Sequence, residues 1–265
     1  MPVENTLHLN ACTMSYISFG RGCKNLIIIP GLSLNRVKGS SLPLSLAYRI
    51  FAKDYRVYMF DERDEIDESC TIEQMADDLY EAMKTVGIKN ADILSVSMGG
   101  MIALSLAKKH PECIGKMIIA FSSSGCAKMT EERIHGWLKA AEKQDYETLT
   151  KDFMESVYTE SYMKKYRLMM PVLVKMTKKA DLSRFAHQAK AILKFDLYDE
   201  LPNMNVNAYV IGAEKDRIVP YEESLRMAEK LKCESYIYEN YGHGAYDEAK
   251  DFNQRVLSVF RGESR

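Results

Sequence analysis

Short, almost wholly apolar runs alternate along the chain with amphipathic helical patterns. Residues 7–11 and 14–19 predict two opening strands, the second closing at Gly20-Arg21-Gly22. Residues 25–29 form a compact apolar run stopped by Pro30-Gly31, the pattern of a strand buried on both faces. Residues 55–60, rich in aromatic and β-branched side chains, predict another strand. Thr71-x-x-Gln74 is a capping-box pattern, and Ile72, Met75, Ala76, Leu79, Met83 and Val86 follow it at helical spacing. Residues 91–96 give the next strand, which turns at Ser97 into a helix through Met101, Leu104 and Leu106. That helix ends at His110-Pro111, because the residue before a proline disfavours the α region. A strand over 117–121 follows. This order predicts a parallel sheet with right-handed helical crossovers.

The alternation breaks after Cys126. From there to Phe195 the chain is rich in Met, Lys, Glu and Tyr and predicts helices only, with Lys164-Lys165-x-Arg167 and Lys178-Lys179 as its densest basic clusters. Strand, helix, strand and helix resume at 208–211, 221–231, 234–238 and 246–260. The expected organisation is therefore one core domain, residues 1–125 and 195–265, interrupted by a helical cap or lid over 126–194.

Composition narrows the function classes. The 36 Lys and Arg nearly cancel the 37 Asp and Glu, which excludes a strongly basic nucleic-acid binder and an acidic disordered chain. A chain of this length buries roughly 70–75% of its unfolded surface, so it needs no metal or disulfide staple. The longest apolar stretch, at Leu26-Ile27-Ile28-Ile29, is far short of the ~20 residues of a membrane span. The six cysteines contain no C-x-x-C pair, so neither a zinc site nor a redox motif is expected, and free thiols in a reducing cytoplasm are. The first ten residues, MPVENTLHLN, carry no cationic region followed by an apolar block, so no secretory signal is read there. No cofactor, nucleic-acid or membrane partner is expected; a small-molecule substrate is.

The chemistry concentrates where strands end. Ser95-Val96-Ser97-Met98-Gly99-Gly100 joins a buried strand to a helix, the setting of the G-x-S-x-G nucleophile elbow. Small residues two before and two after the serine avoid clashes in that turn; Gly99 supplies one, and Ser95 stands in for the other. Ser97 then sits at a helix N-terminus, where free N–H groups favour developing negative charge. A serine that merely caps the helix is the simpler alternative. A serine nucleophile needs a base and an orienting acid. Asp216 follows the next-to-last strand in Gly212-Ala213-Glu214-Lys215-Asp216, and His243 follows the last strand in Tyr241-Gly242-His243-Gly244. Asp216 could be a plain turn residue, and Glu214 is its rival as the acid. His8, His110, His135 and His187 fall in less suitable places. The chain order Ser97, Asp216, His243 is that of a serine–acid–histidine triad. Two backbone donors for an oxyanion are expected from Met98 and Leu32.

These residues together resemble the α/β-hydrolase fold family in its helical-cap branch. The resemblance runs through residues 16–22, Ile28-x-Pro30-Gly31, Phe60-Asp61-x-Arg63, residues 95–100, His110-Pro111-Glu112, residues 195–212, and the Asp216 and His243 loops. It implies a mostly parallel eight-stranded sheet flanked by helices, with Ser97, Asp216 and His243 as nucleophile, acid and base. Two positions depart from the pattern. Pro30-Gly31 stands where His-Gly is common, and Asp61-Glu62-Arg63-Asp64-Glu65 replaces a glycine-rich turn; that acidic run is expected to be a solvated loop, not a metal site. The implied activity is hydrolysis of a small or medium carboxylic ester or thioester through an acyl-enzyme. The alternative is cleavage of a carbon–carbon bond in an anionic keto acid, with Arg133, Lys164, Lys165, Arg167 or Arg184 as carboxylate partners. A non-catalytic ligand receptor on the same scaffold is the third possibility. Met129, Met154, Met163, Met169, Met170 and Met176, with Trp137, Phe153, Tyr158, Tyr162 and Phe185, are expected to furnish an adaptable apolar pocket.

Overall fold

A computed structural model describes residues 2–263. Its strands are β1 (Val3–His8), β2 (Thr13–Phe19), β3 (Lys24–Ile29), β4 (Tyr55–Phe60), β5 (Ala91–Val96), β6 (Ile114–Ala120), β7 (Asn207–Ala213) and β8 (Glu234–Tyr238). The helices are α1 (Ser41–Ala47), α2 (Ile72–Thr85), α3 (Met98–Lys109), α4 (Lys128–Glu142), α5 (Tyr146–Val157), α6 (Glu160–Tyr166), α7 (Met170–Thr177), α8 (Leu182–Lys194), α9 (Tyr221–Leu231), α10 (Ala245–Glu248) and α11 (Phe252–Arg261). The strands form one sheet in the order β1-β2-β4-β3-β5-β6-β7-β8, antiparallel at β1–β2 and β2–β4 and parallel elsewhere.

Side chains alternate across the sheet with period two, and helices cover both faces, so the central strands can be apolar throughout. In β3, Ile27 and Ile29 join the core beneath α2 and α3, while Leu26 and Ile28 join the core beneath α11. Every residue from Met98 to Ala107 of α3 is buried. The Thr71 hydroxyl caps α2 by accepting from the Gln74 N–H at 3.2 Å.

Three local expectations change. The first strand lies at Val3–His8 instead of 7–11; nearly all its residues are exposed at the sheet edge, so it carries no burial alternation to read. The single helix expected over 246–260 is two, because Ala249 adopts an extended ψ of 112° between α10 and α11. That break lets Phe252 pack against Phe121, ring centroids 5.8 Å apart. The acidic run at 61–65 is solvated only in part: Glu65 is exposed and Asp64 half-buried, whereas Asp61 and Glu62 are drawn inward. Asp61 is 3% exposed and accepts from the Val37 and Lys38 N–H groups at 2.7 and 3.0 Å. Arg63 makes a two-pronged pair with Asp78 at 2.7 and 2.8 Å, and Glu62 is bound by Arg184. These carboxylates are buried because cations and amides from distant segments compensate them, which local charge density cannot reveal.

Helices α4 to α8 all lie between β6 and β7, and an antiparallel bridge between Gly125 and Asp196 joins the segments that enter and leave this insertion. On one side, Arg184, His187 and Lys190 of α8 hold Glu62, the Ile66 carbonyl and Glu68 of the loop after β4. On the other, Thr159 donates through its N–H and hydroxyl to the Glu248 carboxylate. Among the described residues no helix is long and apolar enough to cross a membrane.

Candidate active site

Ser97 stands between β5 and α3 with φ 54° and ψ −124°, a left-handed backbone that only glycine adopts freely. Its neighbours explain how the turn is held. The Ser97 N–H donates to the Ala120 carbonyl at 2.9 Å, and the Gly100 N–H to the Ser97 carbonyl at 2.8 Å. A Cβ on Gly99 would stand 2.2 Å from the Ile29 carbonyl oxygen, so no side chain fits there. Ser95, where the motif has glycine, is fully buried and donates its hydroxyl to the Ile118 carbonyl at 2.9 Å, which satisfies the extra polar atom.

Asp216 and His243 lie in the loops after β7 and β8, which are parallel neighbours, so both loops leave the sheet at the same edge. His243 Nδ1 and Asp216 Oδ2 are hydrogen-bonded at 2.7 Å. The other oxygen, Asp216 Oδ1, accepts from the Ile218 and Val219 N–H groups at 2.8 and 2.9 Å. Both side chains are deeply buried, 1% exposed for Asp216 and 6% for His243. Glu214, the alternative acid, is exposed. Phe121 beneath them also has a positive φ, 52°, and its ring centroid lies 6.4 Å from that of His243.

Ser97 and His243 face one cavity of about 300 Å³, whose wall also includes Gly31, Leu32 and Met98. No Ser97–His243 hydrogen bond is formed among the described residues. Leu32 follows the Pro30-Gly31 turn after β3, Met98 is the first residue of α3, and both line the cavity that Ser97 faces.

The rest of the cavity is mostly apolar and aromatic, with Ser33, Asn35 and Thr130 as polar members. Of the side chains singled out from the sequence, Met154, Trp137, Phe153 and Tyr158 line it, together with Ile134, Ile192, Tyr48 and Tyr246. Phe185 is instead core, Met129, Met169 and Met176 are exposed, and Tyr162 lies outside, hydrogen-bonded to Asp247 at 2.9 Å. Burial pushes the Tyr158 and Tyr48 phenols far up and that of Tyr246 to about 12, so all three remain neutral hydrogen-bond donors. None of the five insertion cations lines the cavity. Arg184 holds Glu62 and the Arg63 carbonyl, Arg133 pairs with Asp152 at 3.2 Å, and Lys164 pairs with Glu160 at 3.4 Å. Among the described residues no group of three or more His, Cys, Asp or Glu is placed to hold a metal ion.

Thr130 escapes sequence reasoning. Its hydroxyl donates to the Ile218 carbonyl at 2.6 Å, tying α4 to the turn that holds Asp216 across 88 residues of chain. No local pattern signals such a contact.

A family model described as alpha/beta hydrolase fold matches residues 24–250. The chain is 25% identical over 265 aligned residues to the putative carbamate hydrolase RutD of Rhizobium rhizogenes, covering 91% of this chain and 94% of that one. It is 30% identical over 184 residues to a 2-hydroxy-6-oxononadienedioate/2-hydroxy-6-oxononatrienedioate hydrolase of Paraburkholderia phymatum, covering 66% of this chain and 64% of that one. The crystal structure of the enol-lactonase from Burkholderia xenovorans LB400 superposes with a TM-score of 0.84 at 20% identity, covering 97% of this chain and all of that one.

Proposed function

The chain belongs to the alpha/beta hydrolase fold family and is a hydrolytic enzyme, and from that premise we propose that it cleaves a small or medium carboxylic ester or thioester through an acyl-enzyme on Ser97. The observation that carries this reading is the pairing of a left-handed Ser97 with an Asp216-bound His243 on the wall of one apolar cavity.

In the proposed reaction His243 Nε2 takes the Ser97 proton as the hydroxyl oxygen attacks the substrate carbonyl. Asp216 keeps the Nδ1 proton in place and stabilises the imidazolium. The oxyanion is received by the Leu32 and Met98 N–H groups, each worth about 10²–10³ in rate. His243 then protonates the leaving alcohol or thiol, and activates the water that clears the acyl group. The hydroxyl–imidazole bond tightens as substrate fills the cavity, as is common where the unliganded contact is long. The α4–α8 insertion acts as the cap, and its Trp137, Phe153 and Met154 receive the acyl chain.

Carbon–carbon hydrolysis of an anionic keto acid, the activity named for the Paraburkholderia relative, would call for a cation facing the substrate carboxylate. The cavity wall favours a neutral acyl group instead, since its polar members are hydroxyls, Asn35 and His243.

A fluorophosphonate probe tests the reading. Covalent labelling at Ser97, lost together with ester turnover in Ser97→Ala, is the expected result, with brisk hydrolysis of short p-nitrophenyl esters. Turnover that survives in Ser97→Ala overturns it. Inertness toward every ester, with labelling intact, favours the carbon–carbon reading.

A further inference from the structure

We propose that the outer face of the insertion, residues 164–179, docks on an anionic lipid membrane surface. The interior explains only half of this segment. Thr177 is buried, its hydroxyl 2.7 Å from that of Thr150 on α5, and Leu173 and Val174 are half-buried on the same side. The opposite side is apolar as well: Leu168 is 92% exposed, Met169 49%, Val172 51% and Met176 50%. Val172 and Met176 lie one turn apart on α7, and Leu168 and Met169 belong to the 3-10 turn, Arg167–Met169, that leads directly into it. They are four of the nine large apolar side chains left exposed among the described residues, and they fall within nine positions of the sequence. A helix that needs only to complete a core requires a single apolar face; a second one facing solvent marks a surface that binds something.

Charge identifies the partner. Lys164, Lys165 and Arg167 precede the stripe, Lys175 lies within it and Lys178 and Lys179 follow, all exposed. Across residues 160–180 only Glu160 opposes these six cations, and it is already paired with Lys164 at 3.4 Å. The net charge of the whole chain is −1, so this concentration is local. On α5, Glu147 and Glu155 face the groove beside the segment, with Lys151 between them. An apolar crest collared by lysines matches a membrane interface bearing anionic headgroups. A second copy of the chain would bring two basic collars together. The association is peripheral, by the shallow insertion of four side chains. It does not depend on the chemistry assigned to Ser97.

The test is co-sedimentation of the full chain with phosphatidylcholine vesicles, with and without phosphatidylglycerol. Binding is expected only with phosphatidylglycerol, and high salt should release the protein. Leu168→Asp with Val172→Asp, or Lys178→Glu with Lys179→Glu, should each weaken binding by about tenfold or more, with hydrolysis of a soluble ester unchanged. The proposal is overturned if the unsubstituted chain sediments with neither vesicle, or equally with both at any salt. It is also overturned if size-exclusion shows a dimer that Leu168→Asp dissociates, since a second copy would then be the occupant.

Discussion

Gly31 faces Ser97 across a space too small for a side chain: a Cβ built on Gly31 would lie 2.9 Å from the Ser97 Cβ and 3.4 Å from its Oγ. The turn after β3 and the turn after β5 therefore share a boundary with no room for a methyl group. We expect Gly31→Ala to displace the hydroxyl or the Leu32 amide and to lower kcat/KM by about 10²-fold, the scale of a 1 Å misplacement. Fluorophosphonate labelling rates alongside a thermal melt would check this. An unchanged labelling rate in a folded variant would mean the contact has no part in placing Ser97.

Asp216 divides its oxygens between two tasks, and two substitutions separate them. Asp216→Asn retains an oxygen for the Ile218 and Val219 N–H groups, so stability should change little. It removes the carboxylate that holds the His243 Nδ1 proton, and turnover should fall on the order of 10⁴-fold. Asp216→Ala strands both amides and should also destabilise the fold by about 1–3 kcal/mol. Urea unfolding with steady-state kinetics on both variants distinguishes these outcomes; equal stability of the two would refute the division.

Arg63 and Asp78 form a pair whose side chains are only 12% and 5% exposed. Removing one partner leaves a buried charge, so Arg63→Met or Asp78→Leu should each destabilise by about 3–5 kcal/mol. The double variant Arg63→Met/Asp78→Leu should recover most of that loss. A urea-melt cycle measures the coupling, and simple additivity of the single variants would show the pair to be energetically inert.

Burial pushes the Cys70 and Cys113 thiols from the ordinary value of 9.0 up to about 11. Between those values the folded chain keeps protons that the unfolded chain releases, so unfolding gains ground as pH rises. The thiol contribution to stability is full below 9.0 and lost on the way to about 11. Melting temperatures should therefore drop between about pH 8 and pH 11, with a shallower slope in Cys70→Ala/Cys113→Ala. An identical slope in that variant would remove these thiols as the cause.

Strands β4 and β5 and helix α9 are readable to the residue because each is a bounded segment with its own apolar pattern. The Asp216–His243 contact is readable at a coarser level: each residue follows a strand, and consecutive strands of a parallel sheet open at one edge. What sequence could not supply is pairing across distance. The Arg184–Glu62 bond spans 122 residues and draws Glu62 inward from an acidic run that reads as wholly solvated. The gap between α10 and α11 leaves helical apolar spacing intact on both sides, so periodicity runs straight through it. Helix α1 buries no residue and carries Pro43, which leaves it without an amphipathic signal.

The positive φ at Ser97 has an evolutionary corollary. Glycine would sit there without steric conflict, whereas a residue with a Cβ in that region carries about 1–3 kcal/mol of strain. Ser97→Gly should therefore relieve that strain at the expense of the hydroxyl. Descendants freed from the demand for turnover would drift toward glycine at that position, while those that hydrolyse would keep serine against a standing thermodynamic bias.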